Sequence, residues 1–398
     1  MRNRILQEIK FISKELALTS TDDLPSYSIG QLGGGTLFYL YAGKILSNES
    51  DFNKGINLLE KLIVNSERLN QGNLSSGLGG VCWLLDICRK DGFIEQDVNE
   101  IFPSIDLKLF NWTFETFKIG NLDYLHGATG TFIYLLHRYK ENKIEAHVVE
   151  KLMDELLTNF IRTEHGGYFP FYSNLEQKII PDICNLGLSH GIMSIIYAIA
   201  LAGQLGIRKT QATVVLEEIF ILMETILNNS IIAKNYQFPF YYDLLKRQPS
   251  GGGRIAWCYG DFGNSIAILK AAEFLDKPAL EIFAHDLCSK SLTSTIEQQG
   301  MQDSGLCHGL AGAISILDFW HRKTNNNIFL ENKKSYLDIY LQGFPHKDVH
   351  RYSFDPRTGY AANYTLLEGT PGIGLSLLSE LDKHTQHWKQ LFLLDYED

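Results

Sequence analysis

The chain has 398 residues, of which 45% are hydrophobic and 21% are charged, and its formal net charge at pH 7 is -10. This length exceeds that of one ordinary compact core, so it predicts two domains or one large closed architecture such as a barrel or a ring of repeats. The negative charge argues against a nucleic-acid groove, which needs clustered Lys and Arg, and it fits a folded protein with a small-molecule or peptide partner.

The N-terminal segment, RNRILQEIKFISKELAL from Arg2, has the pattern of an amphipathic helix. It lacks the long apolar region and the small-residue cleavage site of a signal peptide, and no apolar run in the chain reaches the length of a membrane span. We therefore expect a cytoplasmic protein that meets the inner membrane only through partners.

Cysteines are scattered along the chain instead of being concentrated in a short scaffold. This pattern is typical of reduced thiols in a cytosol, and it favours metal binding or catalysis over disulfides. The six cysteines are Cys82, Cys88, Cys184, Cys258, Cys288 and Cys307. We expect Cys82, Cys88, Cys184 and Cys288, which lie in apolar surroundings, to belong to the core.

A glycine motif recurs along the chain: Gly, two residues, Gly or another small residue, and then an apolar stretch of helical length. Examples are HGATGTFIYLLHR from His126 and HGLAGAISILDFW from His308. Such glycines allow tight turns and let helix ends approach without Cβ clashes. The leading glycines are Gly33, Gly77, Gly127, Gly191, Gly260, Gly309 and Gly369. The segments between them, such as 148–162 and 212–229, are amphipathic and also predict helices.

The alternation of buried and amphipathic helices predicts an all-α fold, an α/α toroid with a double ring of about seven inner and seven outer helices. We expect a single domain over residues 1–398. Two stretches, 163–187 and 236–253, interrupt the pattern as irregular or β-like insertions and are candidates for a lid or a peptide-binding rim. In a toroid the N-termini of the inner helices converge at one end, where their exposed N–H groups create a positive field.

Four repeat starts carry chemically active side chains just before the glycine, and the toroid would bring them to one cavity. They are Asp123 and His126 in LDYLHG, His190 in LSHG, Cys258 in WCYG, and Cys307 with His308 in LCHG.

Cys258, Cys307 and His308 form a candidate zinc site with three protein ligands. Thiolates and imidazole suit zinc, and three ligands leave one tetrahedral position open, as in catalytic sites. The alternative is two buried cysteines and a structural histidine. The shared position of all three residues, just before a repeat glycine, favours the metal.

An open zinc position suits a substrate thiol, whose thiolate adds to an electron-poor alkene. The resulting enolate needs a general acid, for which His190 is the candidate. Asp123 would either accept the substrate's proton or fix the tautomer of His190. Arg254 and Tyr259 are candidates to stabilise the oxyanion.

Each of these roles has a structural alternative. In those alternatives His190 caps a helix, Arg254 pairs with a carboxylate, and Tyr259 packs in the core. For His126 we expect a structural role only.

The segments RIAWCYGDFG, SGLCHGLAG and LGLSHG together resemble the lanthionine synthetase C-like family, from near Gly33 to the terminal LLEGTPGIGLSLL. The resemblance implies an α/α toroid with a central zinc bound by Cys258, Cys307 and His308. It also implies a reaction centre lined by His190, Asp123, Arg254 and Tyr259. Two positions depart from the family: His126 stands where an acidic residue is common, and Asp261 stands where a second glycine is common.

The resemblance further implies a stand-alone zinc-dependent cyclase that adds peptide cysteine thiols to dehydroalanine or dehydrobutyrine and so forms thioether rings. Its partners would be a dehydrated lantibiotic-type precursor, a separate dehydratase and a membrane exporter. The alternative is a family member that binds glutathione, adds other thiols or regulates a partner. A plain carbohydrate- or protein-binding helical scaffold is disfavoured, because the repeat starts carry Cys and His instead of the paired carboxylates of glycosidases.

Overall fold

The computed structural model describes residues 1–19, 28–66, 68–229, 236–382, 384 and 386–394. Helices dominate these residues, together with a π-helical turn at Ile29–Gly33 and a 3-10 helix at His387–Phe392. The α-helices in the described ranges are α1 (Arg2–Leu18), α2 (Gly34–Leu46), α3 (Glu49–Ser66), α4 (Leu78–Lys90), α5 (Val98–Ile101), α6 (Ile105–Lys118), α7 (Ala128–Lys140), α8 (Ala146–Thr158), α9 (Ile192–Gln204), α10 (Lys209–Asn229), α11 (Asp261–Leu275), α12 (Pro278–Ser291), α13 (Leu310–Thr324), α14 (Asn327–Leu341) and α15 (Thr370–Ser379).

The glycine motif marks the starts of buried helices, as the sequence predicts. Each predicted leading glycine is the residue directly before a helix, namely α2, α4, α7, α9, α11, α13 and α15. Helix α9 is buried on every face from Ile192 to Gly203, whereas α3 buries only a stripe of residues. The predicted alternation of buried and amphipathic helices is therefore confirmed.

A close backbone contact explains why glycine stands at these positions. In the loop before α13, the side chain of Asp303 accepts a hydrogen bond from the N–H of Gly305 at 3.0 Å. The chain then folds back so far that a Cβ on Gly309 would lie 2.5 Å from the backbone oxygen of Asp303. The same turn, with Asn or Asp six residues before the leading glycine, occurs at Asn121, Asn185 and Asn363.

Gly260, which precedes α11, has a further reason to be glycine. Its φ of +100° lies in a region that side chains disfavour, and it forms an isolated antiparallel bridge with Ile255. No Asx residue stands six positions earlier in this loop, where the chain has Arg254.

Short antiparallel strands occupy the two predicted insertions. In the described residues the strands form the antiparallel pairs β1–β2, β3–β4 and β8–β9 and the three-stranded sheet β5–β6–β7. The β8–β9 pair lies outside the two insertions. These data confirm β-like structure within 163–187 and 236–253, and they add a hairpin at 353–361 that the sequence analysis did not predict. The strands are β1 (Ile161–Thr163), β2 (Gly166–Tyr168), β3 (Phe171–Ser173), β4 (Lys178–Ile180), β5 (Ile183–Asn185), β6 (Tyr241–Asp243), β7 (Gln248–Ser250), β8 (Ser353–Asp355) and β9 (Gly359–Ala361).

The residues group into two compact units, each with its own buried core. The first unit comprises 1–70, 75–101 and 300–398, and it contains α1–α5, α13–α15 and the β8–β9 hairpin. The second unit comprises 71–74 and 102–299, and it contains α6–α12 and β1–β7. The single domain over 1–398 stays a prediction.

All six cysteines are buried, and none is joined in a disulfide. None of the helices in the described ranges has both the length and the apolarity that a bilayer crossing requires.

We predict that Gly369→Ala destabilises the protein by about 1–3 kcal/mol or more, because the added Cβ would lie 2.6 Å from the backbone N and O of Thr365. Gly35→Ala is the matched control in α2. There the Cβ would meet only Leu58, at 3.7 Å, so the change should stabilise by about 0.5–1 kcal/mol or be neutral. Urea unfolding of both variants measures the difference, and equal midpoints would contradict the close-contact explanation.

Candidate functional site

In the second unit, a buried carboxylate is hydrogen-bonded to an imidazole. Asp123 lies in the loop before α7, and His190 directly precedes Gly191 at the start of α9. The Nδ1–H of His190 donates to Oδ2 of Asp123 at 2.8 Å. Two roles for Asp123 follow from the sequence, and this hydrogen bond has the geometry expected of the second, fixing the tautomer of His190. Nε2 then remains the ring nitrogen that can act on a substrate.

Several further donors hold Asp123 in place. Its Oδ1 accepts the backbone N–H groups of Leu125 and His126, each at 2.8 Å, and its Oδ2 also accepts from Nδ2 of Asn174 at 2.9 Å. Burial raises the pKa of Asp123, but the charge and hydrogen bond of His190, together with smaller contributions from His126, hold that pKa below its ordinary value. Asp123 is therefore an ionised, immobilised acceptor at neutral pH.

The pKa of His190 moves in the opposite direction. Burial lowers it, but the charge and hydrogen bond of Asp123, with a smaller contribution from Cys258, raise the pKa above its ordinary value. An imidazole in this environment carries a proton at neutral pH more readily than a free histidine, which suits a general acid. The structure thus gives His190 a carboxylate partner rather than the helix-capping bond of the structural alternative.

His126 lies against the same ring. Its imidazole is exposed and stacks on that of His190, with ring centroids 5.6 Å apart and planes 12° apart. The sequence analysis assigned His126 a structural role only. The stacking places it beside the residue that we expect to transfer the proton.

Tyr259 also lies near His190, at a ring-centroid distance of 6.1 Å. Its hydroxyl accepts a hydrogen bond from Nδ2 of Asn185 at 2.9 Å. Burial and the neighbouring Tyr241 raise the pKa of Tyr259, against the lowering effect of Asn185. The phenol therefore keeps its proton at neutral pH and can donate it to a substrate oxygen in a hydrogen bond.

Arg254 is connected to Tyr259 through the aromatic ring of Phe240. Its guanidinium lies over Phe240 at 5.5 Å from the ring centroid, and Phe240 packs edge-on against Tyr259 at 5.1 Å. Within the described residues the structure records this cation–π contact for Arg254 and no carboxylate partner, contrary to the structural alternative. The side chain is partly exposed, so it can approach a bound anion.

Cys258 is anchored next to His190 by its backbone. Its carbonyl oxygen accepts the N–H groups of Leu188 at 2.9 Å and Ser189 at 3.1 Å, and the residue is 5% exposed. The start of α11 and the start of α9 are therefore tied together in the second unit.

Asp261, a departure from the family pattern, anchors the second insertion. It is buried in the first turn of α11, and its carboxylate accepts the backbone N–H groups of Gln237 at 2.9 Å and Phe238 at 3.1 Å. Burial raises its pKa to about 7, while these hydrogen bonds and that of Ser291 oppose the rise. Asp261 thus fixes the segment that leads into β6.

In the first unit, Cys307 and His308 precede Gly309 at the start of α13. The N–H of Cys307 donates to the carbonyl of Leu367 at 2.8 Å, and Nε2 of His308 lies 3.3 Å from Oδ2 of Asp303. Burial raises the pKa of Asp303, but His308 and the backbone N–H groups of Gly305 and Phe354 together keep that pKa below its ordinary value.

The His308–Asp303 contact fits a metal ligand. Histidines that bind metals usually hold a carboxylate with the ring nitrogen that does not bind the metal, so this Nε2 contact fits a His308 that would bind zinc through Nδ1. The side chains predicted as ligands, two thiols and one imidazole, also belong to the donor types that zinc prefers. The residues present therefore fit zinc.

The sequence did not predict the contacts of four residues near these helix starts, of which Asp261 had been noted but left unexplained: Asn174, Asn185, Asp261 and Asp303. For Asn185 and Asp303 the sequence did hold a signal, an Asx residue six positions before each leading glycine. For Asn174 and Asp261 no spacing in the sequence indicates the contact.

Three comparisons place these observations among known proteins. A family model described as lanthionine synthetase C-like protein matches residues 30–393. The nisin biosynthesis protein NisC of Lactococcus lactis subsp. lactis is 24% identical over 396 residues, covering 90% of this chain and 87% of that protein. A solved structure of nisin cyclase superposes with a TM-score of 0.72 at 20% identity, covering 98% of this chain and 97% of the other. This likeness shows the fold and confirms the predicted all-α toroid class.

We predict that Asp123→Asn lowers the pKa of His190, because the charge that raises it is removed while burial, which lowers it, remains. Histidine ring signals followed by NMR between pH 5 and 9 measure the shift. Glu164→Gln, which removes the carboxylate of the exposed His165–Glu164 pair, is the control and should leave His190 unchanged.

The same pair makes folding stability depend on pH. Because the pKa of His190 is raised in the folded state, the pair adds to the free energy of unfolding. This added stability is complete below the ordinary pKa of histidine and is lost as pH rises through the folded-state pKa. The lowered pKa of Asp123 gives a contribution that is lost as pH falls through its folded-state value. The stability lost in Asp123→Asn should therefore be largest between pH 3.8 and 6.5. A constant difference across pH, measured by urea unfolding, would contradict the pairing.

Proposed function

The chain belongs to the lanthionine synthetase C-like family, and from this premise we propose that it is a zinc-dependent cyclase that forms thioether rings in a dehydrated precursor peptide. Its similarity to NisC, a nisin biosynthesis protein, and to nisin cyclase supports a lantibiotic-type substrate. The observation that carries the proposal is the pair of half-buried His190 and buried Asp123, 2.8 Å apart and next to Cys258 and Tyr259. A pair of this kind serves proton transfer.

Cys258, Cys307 and His308 would hold the zinc. Their donor chemistry, their common place before a repeat glycine and the contact of His308 with Asp303 support this ligand set. When bound, zinc supplies a Lewis acid that lowers the pKa of a substrate thiol at the position that three protein ligands leave open.

The chain's own residues would handle charge and protons. Addition of the cysteine thiolate to the β-carbon of dehydroalanine or dehydrobutyrine forms the C–S bond and moves the alkene electrons towards the neighbouring carbonyl. Tyr259 would donate a hydrogen bond to that oxygen, and Arg254 would offset its charge. His190 would then deliver a proton to the α-carbon, and the proton lost by the thiol balances the reaction. Asp123 stabilises the imidazolium before transfer.

The peptide would reach the protein already dehydrated by a separate enzyme, and it would leave through a membrane exporter, with ring closure in the cytoplasm. A glutathione-binding or regulatory protein would keep the same residues. The two functions are separated by substrate: the cyclase closes rings in the peptide, whereas the alternative binds or consumes free glutathione.

We predict about one zinc per chain in metal analysis. Cys307→Ala should lose both the zinc and ring formation. Cys88→Ala is the control, because burial raises the pKa of the Cys88 thiol and keeps it protonated in the core, so that variant should keep both. Folded, metal-free wild-type protein with full cyclase activity would refute the zinc requirement.

We predict that His190→Asn keeps its zinc but slows ring closure by about 10²–10⁴-fold, since the proton donor is lost. Mass spectrometry of a dehydrated precursor after thiol alkylation counts the rings that remain open. Unchanged turnover would remove His190 from the mechanism. Loss of free glutathione without ring closure in the wild type would support the alternative function.

A further inference from the structure

The β3–β4 hairpin places one polar side chain inwards at its tip. The strands are joined by residues 174–177, and Leu175 in this loop is 98% exposed. Asn174, the residue before it, turns its amide into the second unit and donates from Nδ2 to Oδ2 of Asp123 at 2.9 Å. The hairpin therefore contacts the same carboxylate oxygen that accepts the hydrogen bond from Nδ1–H of His190, at 2.8 Å.

The orientation of the Asn174 amide is fixed by a second contact. Nδ2 of Asn121 donates to Oδ1 of Asn174 at 3.0 Å. Because that oxygen must face Asn121, the NH2 group must face Asp123. Asn121 also accepts the backbone N–H of Asp123 at 3.3 Å, so the three side chains form one closed network. Gln177 donates to the carbonyl of Asn174 and holds the loop itself.

A chain of aromatic contacts also connects the β3–β4 hairpin to Tyr259. Phe171 in β3 lies 5.7 Å from Tyr241, and Tyr241 lies 6.2 Å from Tyr259, measured between centroids. An insertion that touches both Asp123 and the neighbours of Tyr259 is in a position to set the geometry of the site.

We propose that Asn174 is a positioning residue for the Asp123–His190 pair, so that this one amide of the first insertion belongs to the reaction centre. This inference rests on the proposed function for its effect on turnover. The amide holds the Asp123 carboxylate in the plane from which it accepts His190 Nδ1–H, and thereby directs Nε2 of His190 at the substrate. Misplacing a reacting group by a fraction of an ångström slows chemistry without weakening substrate binding.

The test compares Asn174→Ala with Asn174→Gln, which keeps the amide, and with Leu175→Ala at the exposed neighbouring position. Turnover and KM for a dehydrated precursor are measured together with the thermal midpoint and the zinc content. We expect Asn174→Ala to lower kcat by about 10- to 100-fold with KM within about twofold, Asn174→Gln to recover part of that loss, and Leu175→Ala to match the wild type. Wild-type kcat in Asn174→Ala overturns the proposal, as does an equal loss in Leu175→Ala.

A second measurement does not depend on cyclase activity. NMR signals of the His190 ring in the substrate-free protein should shift in Asn174→Ala and not in Leu175→Ala. Asn121→Ala, which releases the amide orientation, should shift them in the same direction and covers the case in which Asn174→Ala does not fold. If the wild type closes no rings but the shifts occur, the proposed function fails and the positioning role stands. Unshifted His190 signals in both Asn variants overturn the positioning role.

Discussion

The constraint on which the site depends is a close contact between a backbone oxygen and a glycine six residues later. An Asx side chain first bonds an N–H two residues on, and the chain then returns so closely that a Cβ on the glycine would enter the space of that oxygen. Because only glycine permits this return, the residue just before it is held at the start of a buried helix. The side chains held in this way include His126, His190, His308 and Glu368.

Buried carboxylates connect the short hairpins to these helix starts. A carboxylate removed from water needs several donors, and backbone or amide groups near each hairpin supply them. Asp123 bonds Asn174 of the first insertion, Asp261 bonds the segment leading into the second, and Asp303 bonds the N–H of Phe354 at 3.1 Å in the β8–β9 hairpin. Two of these carboxylates also hold a histidine. Within each unit, the same carboxylate therefore contacts a hairpin and a histidine of a helix start.

The sequence predicted the parts of the fold that follow local rules. Glycines at a recurring position and apolar stretches of helical length located the buried helices, and Cys and His before those glycines marked the candidate ligands. The hairpin at 353–361 was missed because its strands have three residues each, too few for an alternating pattern to be read. Asp261 was left unexplained because its donors, Gln237 and Phe238, lie more than twenty residues earlier in the chain.

By itself the sequence determined which residue types stand at the helix starts, because glycine and Asx requirements are local and repeat along the chain. Only the tertiary structure decided what those residues do to one another. The opposite pKa shifts of Asp123 and His190 arise from a contact across 67 residues inside a buried space, where charge attraction outweighs the cost of burial. The hydrogen bond that Asn174 donates to Asp123 has the same origin. Long-range packing brings the two side chains together, and no spacing in the sequence indicates this contact.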